Sequence, residues 1–515
     1  MNLFRAFATV GGYTMLSRVL GFVRDILIAG TLGAGPVADA FFVAFKLPNF
    51  FRRLFAEGAF NAGFVPLFSD LLATRGREPA RAFAEQALSV LLLTLFIFVT
   101  LAQVAMPWVM QVLAPGFVGD PERFDLAVAF TRITFPYLLL ISLVSLMGGV
   151  LNSLQRFAAV AATPVLLNIC LIAAITLLAP HMPSPGHALA WGVAVAGVAQ
   201  LIWLSVACQK AGMGLTLPRP RLTPKVRELL RLILPAALGA GVVQVNLVID
   251  IILASLLPKG SVSFLFYADR LNQLPIGVVG VAVGTAILPM LSRLVAQKDQ
   301  PGAVAALNRA VELTLFLALP AMMAFLLLAH ELILTLFQRG QFDVAAAQAT
   351  AFALMAYAVG LPGYVLVKVL TPAFFARRDT RTPVLVGTVA VVANLILNLI
   401  LMRYLAHAGL ALATAIAAWL NVALLSWILY RRGDLRPDTR LIQRLGRTLA
   451  AALAMAAGLW WLKGILAAQF LGGEVQRILA LLVLVAAGML GFAVAAIVFR
   501  AVQGSEIRGL LSRRR

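Results

Sequence analysis

Long apolar stretches recur along the whole chain, and short polar or turn-rich links separate them. A helix needs about 20 mostly apolar residues to cross a hydrocarbon core of about 30 Å. Segments of this kind lie near 5–30, 36–58, 83–110, 125–150, 157–180, 187–208, 228–257, 263–293, 308–336, 346–372, 383–403, 407–430, 444–466 and 477–500. The pattern therefore predicts an all-α polytopic membrane protein with 14 transmembrane helices.

Short motifs return in the same order later in the chain, at nearly one offset. Thr163-Pro-Val-Leu166 returns as Thr382-Pro-Val-Leu385, and Val65-Pro-Leu-Phe-Ser69 returns as Leu288-Pro-Met-Leu-Ser292. Six helices per repeat is an even number, so we expect two parallel repeats related by an axis along the membrane normal. The predicted parts are an N-lobe of six helices (1–218), a C-lobe of six helices (219–437) and a last helix pair with a basic tail (438–515).

The composition agrees with a membrane protein. Hydrophobic residues make up 62% of the chain and charged residues 12%, whereas a soluble domain has about 45–50% and about 25%. The net charge is +21, and the basic residues concentrate in alternate links, namely 75–81, 210–231, 293–309, 377–381 and 431–447. By the positive-inside rule, these links and both termini face the cytoplasm. Topology and anionic headgroups then account for the charge, so no nucleic acid partner is expected.

The predicted spans contain more basic than acidic residues. The basic ones are Arg18, Arg24, Lys46, Arg52, Arg53, Arg270 and Lys368. Each costs about 2.5–3.5 kcal/mol at the bilayer centre unless it faces water, reaches the interface or is paired. The acids available nearby are Asp25, Asp39, Glu57, Asp250 and Asp269. A duplicated scaffold without a pathway would not need such charges, so we expect a cationic cavity.

Two of these cations have a local explanation. Arg53 lies one turn before Glu57, so a salt bridge within the helix is at least as good an interpretation as contact with a ligand. Lys368 lies near the cytoplasmic end of its span, where a lysine reaches the interface. Partners are too few for the remaining arginines, which we interpret as a binding site. They are Arg18, Arg24, Arg52 and Arg270.

The chemistry of arginine indicates the class of substrate. Several planar guanidinium groups together suit the multidentate binding of a pyrophosphate, so we expect a large phosphorylated anion. The sequence has no nucleotide-binding loop or catalytic motif, and its four histidines stand singly near helix ends. We therefore expect a transporter rather than an enzyme, without a cofactor, driven by an ion gradient or by the membrane potential.

Four stretches of the sequence carry a family likeness. They are Ser17-Arg-Val-Leu-Gly-Phe-Val-Arg-Asp25, Asp39-Ala-Phe-Phe-Val-Ala-Phe-Lys-Leu-Pro-Asn49, Arg52-Arg-Leu-Phe-Ala-Glu-Gly-Ala-Phe60 and Tyr267-Ala-Asp-Arg-Leu271. Together they resemble the MurJ (MviN) lipid II flippases of the multidrug/oligosaccharidyl-lipid/polysaccharide exporter superfamily, and the likeness covers nearly the whole chain. The resemblance implies two six-helix lobes in a V shape, with a last helix pair that borders a groove for a polyprenyl tail.

The resemblance also implies a function. A member of this family flips lipid II, the undecaprenyl-pyrophosphate-linked precursor of peptidoglycan, from the cytoplasmic to the periplasmic leaflet by alternating access. The expected location is the bacterial cytoplasmic (inner) membrane. The expected partners are lipid II, membrane lipids and the peptidoglycan synthesis machinery.

The predicted substrate site combines the arginines with the acidic and polar positions that the resemblance implies. It consists of Arg18, Arg24, Asp25, Asp39, Asn49, Arg52, Arg53, Ser263 and Arg270. One position departs from the family pattern, because some members have a glutamate where this chain has Gln273. Without that glutamate, the charge of Arg270 is more available to substrate or to Asp25.

A second polar group predicts a sodium site. Asp250 stands alone in an apolar stretch, where a carboxylate is costly unless it is protonated, hydrated or bound to a cation. Asn394 and Asn398 lie one turn apart and Thr414 adds a hydroxyl, and such oxygens suit a small cation. The resemblance adds that some family members use corresponding positions for sodium. The alternative is that the amides and the hydroxyl join helices by hydrogen bonds, with Asp250 as a neutral acid; both interpretations stay open.

Two other classes of function remain as alternatives. A transporter of another polyprenyl-linked saccharide, or an ion-coupled drug antiporter, has the same fold class. An antiporter for cationic drugs, however, is expected to have an acidic cavity. A membrane enzyme such as a polyprenyl-phosphate transferase needs catalytic acids or histidines that face a lumen, and the sequence shows no convincing set.

The charge pattern makes a testable prediction about topology. We expect a single cysteine at Thr439, in a variant without Cys170 and Cys208, to escape a membrane-impermeant maleimide in intact spheroplasts and to react after lysis. The reason is that the basic link 431–447 faces the cytoplasm. Pro183→Cys, in a link on the opposite side, is the control and is expected to react in both preparations. Labelling of Thr439→Cys from outside would overturn the fourteen-helix map.

Overall fold

The computed structural model describes residues 3–51 and 60–502, and helices make up nearly all of these ranges. The first nine helices are α1 (Leu3–Leu32), α2 (Pro36–Phe51), α3 (Phe60–Arg75), α4 (Arg77–Leu113), α5 (Pro121–Thr134), α6 (Tyr137–Ser153), α7 (Phe157–Ala173), α8 (Pro185–Lys210) and α9 (Pro224–Ser255). They are followed by α10 (Ser261–Pro275), α11 (Val281–Ala296), α12 (Gln300–Phe337), α13 (Val344–Phe375), α14 (Arg381–Arg431), α15 (Thr439–Ile465), α16 (Ala467–Phe470) and α17 (Glu474–Val498).

The predicted all-α membrane fold is confirmed. Nine helical stretches among the described residues are long and apolar enough to cross a membrane. One of them, α14, is broken at Ala406, whose φ of 47° and ψ of −128° are not helical. This break separates the predicted spans 383–403 and 407–430. The count of 14 transmembrane helices stays a prediction.

Helix starts follow capping chemistry. Asp299, Asp343 and Asp438 each precede a helix and accept a hydrogen bond from a backbone N–H three residues later, at 2.9, 2.7 and 2.7 Å. Such bonds satisfy donors that the first turn of a helix leaves open. These aspartates lie in the polar links and define the starts of α12, α13 and α15.

By packing, the chain divides into two compact units. The first consists of Met1–Ser263 and Arg339–Phe342. Within it, α1 packs on α7, α2 packs on α5 and α8, and α9 packs on α3 and α4. Buried aromatic rings fill part of its core, where Phe41 stacks on Phe45.

The second unit consists of Phe264–Gln338 and Asp343–Arg515. Within it, α13 packs on α12 and α14, and α15 packs on α12 and α17. Its core includes the buried side chains of Val369, Phe374 and Leu429. The predicted lobe boundaries follow the sequence repeat rather than packing, and they stay a prediction.

Ion pairs join α12 to α15 in the second unit, and two of them are short. Lys463 Nζ lies 2.9 Å from Glu331 Oε1, and Arg444 Nη1 lies 2.7 Å from Glu312 Oε1. Both acids are largely shielded from solvent, so these pairs are not the freely screened surface pairs that contribute little. They fix the start of the chain's last helical segment, α15 to α17, on α12.

The short link Arg339–Phe342 belongs to the first unit, where it contacts the end of α1. The N–H of Gln341 donates to the carbonyl of Gly30 at 2.9 Å. A Cβ on Gly340 (φ 54°) would lie 2.2 Å from that carbonyl oxygen, and a Cβ on Gly33 (φ 65°) would lie 2.4 Å from the oxygen of Gln341. Glycine is required at both positions, because the backbones touch and an L side chain is strained at these φ values.

Candidate functional site

Arg24 on α1 is buried and held by two side chains. Its Nε and Nη2 donate to Asp25 Oδ1 at 2.9 and 2.6 Å, and its Nη1 donates to Asn168 Oδ1 on α7 at 2.9 Å. Only 6% of Arg24 and 3% of Asp25 is exposed. The structure therefore brings two predicted site residues together as an ion pair, which lowers the cost of burying the cation.

Arg18 lies on the same helix and has a different environment. It precedes Asp25 by seven residues, which places both on one face of α1, and its side chain is exposed. An arginine within an apolar segment is stable next to water or an anion rather than next to hydrocarbon. Arg18 is therefore an accessible cation on α1.

Asp39 on α2 lies at the centre of a buried polar cluster. Its Oδ2 accepts from Arg123 Nη2 at 3.2 Å and from Gly260 N at 2.7 Å, and its Oδ1 accepts from Ser263 N at 3.0 Å and Ser263 Oγ at 2.6 Å. Asp39 and Ser263 are fully buried. The carboxylate thus caps the start of α10 from another helix, in the way that an N-cap side chain does locally.

The loops beside this cluster carry a second ion pair. Lys259 Nζ lies 2.8 Å from Asp120 Oδ2. The hydrogen bond from Lys259 lowers the pKa of the Asp120 carboxyl. Arg123 itself lies 4.0 Å above the ring of Phe117, so its guanidinium is held by a carboxylate and by an aromatic face.

Asn49 follows Pro48 within α2. Proline lacks an N–H, so the carbonyl four residues earlier loses its helical partner. Here Thr134 Oγ1 on α5 donates to that carbonyl, of Ala44, at 3.2 Å, and Asn49 Nδ2 donates to the next carbonyl, of Phe45, at 2.9 Å. In this arrangement the amide of Asn49 serves the helix. The predicted site residues Arg52 and Arg53, and Glu57 with them, lie outside the described residues.

Arg270 on α10 belongs to the second unit and is half-buried. Its Cζ lies 4.5 Å from the centre of the Phe266 ring, at a distance where a cation is attracted to the ring face. Gln273 Nε2 donates to Asp269 Oδ2. Gln273, the position that departs from the family pattern, therefore engages the acid of its own helix.

Three of the four predicted sodium ligands lie together on α14. Asn398 Nδ2 donates to Asn394 Oδ1 at 2.9 Å, and Asn394 Nδ2 donates to Thr414 Oγ1 at 3.3 Å. Asp250 lies on α9 in the first unit, where it accepts from Asn246 Nδ2 at 3.4 Å. The contacts on α14 are of the kind that the hydrogen-bond interpretation requires, and sodium binding stays a prediction.

Sequence reasoning missed two residues of the site. Arg123 lies outside the predicted span 125–150, but α5 begins at Pro121 and places Arg123 in its first turn. The proline at a helix start was the available signal. Asn168 is not among the predicted site residues, although it is a lone amide within the apolar run 165–171, and such residues are commonly paired.

Comparison with known proteins gives a consistent result. Residues 28–499 match the model of a family described as "Lipid II flippase MurJ". A "Probable lipid II flippase MurJ" of Rhizobium meliloti (strain 1021) is 45% identical over 89% of this chain and 86% of the relative. A "Lipid II flippase MurJ" of Burkholderia cenocepacia is 38% identical over 90% of each chain.

Solved structures show the same similarity. A structure of "Lipid II flippase MurJ, inward closed conformation" matches with a TM-score of 0.77 and 25% identity, over 95% of this chain and 98% of that one. An inward-facing multidrug resistance MATE family transporter of the MOP superfamily matches with a TM-score of 0.65 and 15% identity, over 84% and 95% of the two chains. The second likeness shows the fold alone.

The buried cluster around Asp39 yields a stability prediction. Asp39→Ala leaves the charge of Arg123 buried without its carboxylate, so we expect it to destabilise the protein by about 3–5 kcal/mol. The double variant Asp39→Ala/Arg123→Met should recover part of this loss, because methionine leaves no buried charge. Thermal unfolding of the purified proteins in detergent measures both effects. Lys259→Ala, which removes a more exposed pair, is the control and should shift the melting temperature little. Equal melting temperatures for the single and double variants would contradict the ion-pair interpretation.

Proposed function

Because the chain belongs to the MurJ family of lipid II flippases, we infer that it flips lipid II across the inner membrane in support of cell wall synthesis. Its substrate has an apolar polyprenyl tail and a pyrophosphate that joins the tail to a polar head. The tail can stay in the bilayer, whereas the charged head must pass through it. The protein therefore has to supply a polar, cationic path for the head.

The observation that carries this proposal is the hydrogen bonding of the Arg24 guanidinium. A guanidinium has five N–H donors, and the contacts with Asp25 and Asn168 use one on each of its three nitrogens. Within the described part of the chain, one donor therefore remains on Nη1 and one on Nη2. A phosphate accepts two such bonds at once.

We propose that the predicted site residues divide into two groups with different tasks. One group supplies or positions the positive charge that the pyrophosphate meets, and it comprises Arg18, Arg24, Asp25, Asn49, Arg52, Arg53 and Arg270. The other is the buried pair Asp39 and Ser263, whose polar atoms are engaged within the protein. This pair holds the start of α10, the helix that carries Arg270, so its release during transport would free that helix to move.

The cationic character of the site separates this function from the alternatives. A drug antiporter of the same fold would attract cations, which these arginines repel. A transporter of another polyprenyl-linked saccharide would use the same pyrophosphate chemistry. Purified protein in liposomes, offered lipid II and a different polyprenyl-pyrophosphate saccharide in turn, distinguishes the two substrates.

We also propose the orientation and partners of the protein. Both termini lie in the cytoplasm. The reason is that the termini share one predicted side of the membrane with the basic links, and basic links face the cytoplasm. The protein is surrounded by membrane lipids, and it releases lipid II to the peptidoglycan synthesis machinery at the periplasmic surface. Catalysis of a chemical step is not part of this proposal.

The arginines give a direct test of the transport site. Arg24→Ala removes charged hydrogen bonds worth about 1.5–3 kcal/mol, so we expect lipid II flipping to fall at least tenfold while the protein stays in the membrane. Arg18→Ala and Arg270→Ala should also fail to support growth of a flippase-depleted strain. Arg219→Ala, at an exposed arginine of the link between α8 and α9, is the matched control and should support growth. Normal growth with any two of the three site variants would contradict the assignment of these arginines to the transport site.

Sodium coupling is a separate proposal and has its own test. If carboxylate, amide and hydroxyl oxygens of Asp250, Asn394, Asn398 and Thr414 bind sodium, the ion should raise the melting temperature of the protein by mass action. Potassium at the same ionic strength is the control. Asp250→Ala should remove the sodium-specific shift, and an equal sodium response in variant and wild type would dismiss the site.

A further inference from the structure

Asn168 is a buried polar residue to which the function above assigns no task. It lies in the apolar part of α7, and only 4% of it is exposed. A buried amide without partners is costly, but here both ends of the amide are bonded. Its partners, Arg24 and Ser17, both lie on α1.

These hydrogen bonds fix the orientation of the amide. Oδ1 accepts from Arg24 Nη1 at 2.9 Å, whereas Nδ2 donates to Ser17 O at 2.9 Å and lies 3.3 Å from Ser17 Oγ. A guanidinium can only donate and a carbonyl can only accept. A flipped amide would place donor against donor and acceptor against acceptor, so the arrangement has one solution.

The shape of α1 makes room for this contact. Ser17, Gly21 and Arg24 follow one another at helical spacing along one face. A Cβ on Gly21 would lie 3.5 Å from Asn168 Nδ2 and 3.6 Å from Oδ1. Both distances are ordinary van der Waals contacts, so a Cβ would fit at position 21, whereas side-chain atoms beyond it would meet the amide between Ser17 and Arg24.

We propose that Asn168 is a positioning residue for pyrophosphate recognition. Asp25 holds one edge of the Arg24 guanidinium and Asn168 holds the opposite nitrogen, so the group cannot rotate about its last bonds. Its remaining N–H donors then point in a fixed direction before the anion arrives, which lowers the entropy that binding must overcome. The inference rests on the proposed role of Arg24 in binding the pyrophosphate.

The choice of an amide over a carboxylate follows from charge. Asp25 already supplies one negative charge to Arg24, and a second carboxylate at position 168 would leave the group with a net negative charge. Such a group would repel a pyrophosphate. Asn168 orients the guanidinium and leaves its charge unchanged.

The test measures binding of farnesyl pyrophosphate, a short polyprenyl pyrophosphate, to the purified full chain in detergent by calorimetry, with farnesol as the uncharged control. Asn168→Leu removes the hydrogen bonds to Arg24 and Ser17, and we expect about tenfold weaker binding. Asn168→Asp keeps an acceptor for Arg24 but adds charge, so it should weaken binding at least as much. If Asn168→Leu does not fold, Asn168→Ala takes its place.

A matched control separates positioning from general stability. Gln200 on α8 is also a buried amide, bonded to Tyr137 Oη at 3.2 Å and to the carbonyl of Thr163 at 2.7 Å, and it has no bond to Arg24. Gln200→Leu should lower the melting temperature as Asn168→Leu does, while its affinity for farnesyl pyrophosphate stays that of the wild type. Equal losses of affinity in both variants would overturn the proposal.

A double-mutant cycle shows whether Asn168 acts through Arg24. In an Arg24→Ala background, Asn168→Leu should change the affinity less than about twofold, because coupled residues are not additive. A full additional loss overturns the positioning role, and so does wild-type affinity in Asn168→Leu when Arg24→Ala binds weakly. Wild-type affinity in Arg24→Ala itself contradicts the proposed pyrophosphate site, and the inference falls with it.

Discussion

A charged or polar group inside a bilayer has no water to bond with, and the arrangement of this protein follows from that constraint. The backbone satisfies this constraint by forming helices almost throughout the described residues. The polar side chains satisfy it by bonding to partners from distant parts of the sequence. Arg24 meets Asn168 from α7, and Asp39 meets Arg123 from α5. In the first unit, these polar clusters therefore hold α1 against α7 and α2 against α5.

The two membrane carboxylates Asp25 and Asp39 satisfy this constraint in different ways. Asp25 neutralises Arg24 and leaves guanidinium donors for another acceptor. Asp39 accepts four hydrogen bonds from three residues and is fully buried. The first arrangement suits recognition of an anion, and the second suits attachment of a helix.

The sequence predicted the helices better than it predicted their partners. Apolar length and breakers located the break at Ala406, because a long apolar run and its interruption are local properties. The pairing of Arg24 with Asp25 was also accessible, since the two are neighbours. The partners of Arg123 and Asn168 are 84 and 144 residues away. No periodicity encodes such contacts, and their traces in the sequence are the proline at the start of the helix that carries Arg123 and the lone amide of Asn168 in an apolar run.

The glycine contact between α1 and the link Arg339–Phe342 has a consequence for recognition from outside the protein. The hydrogen bond from Gln341 N–H to the carbonyl of Gly30, and the close approach of Gly340 to that carbonyl, use main-chain atoms, so these two contacts do not depend on which side chain stands at position 341. The identity of that side chain can drift while the two glycine positions cannot. A binding protein that recognises the side chains of this link would lose affinity through single substitutions. One that recognises the shape of the two contacting backbones would bind a surface that has little freedom to change.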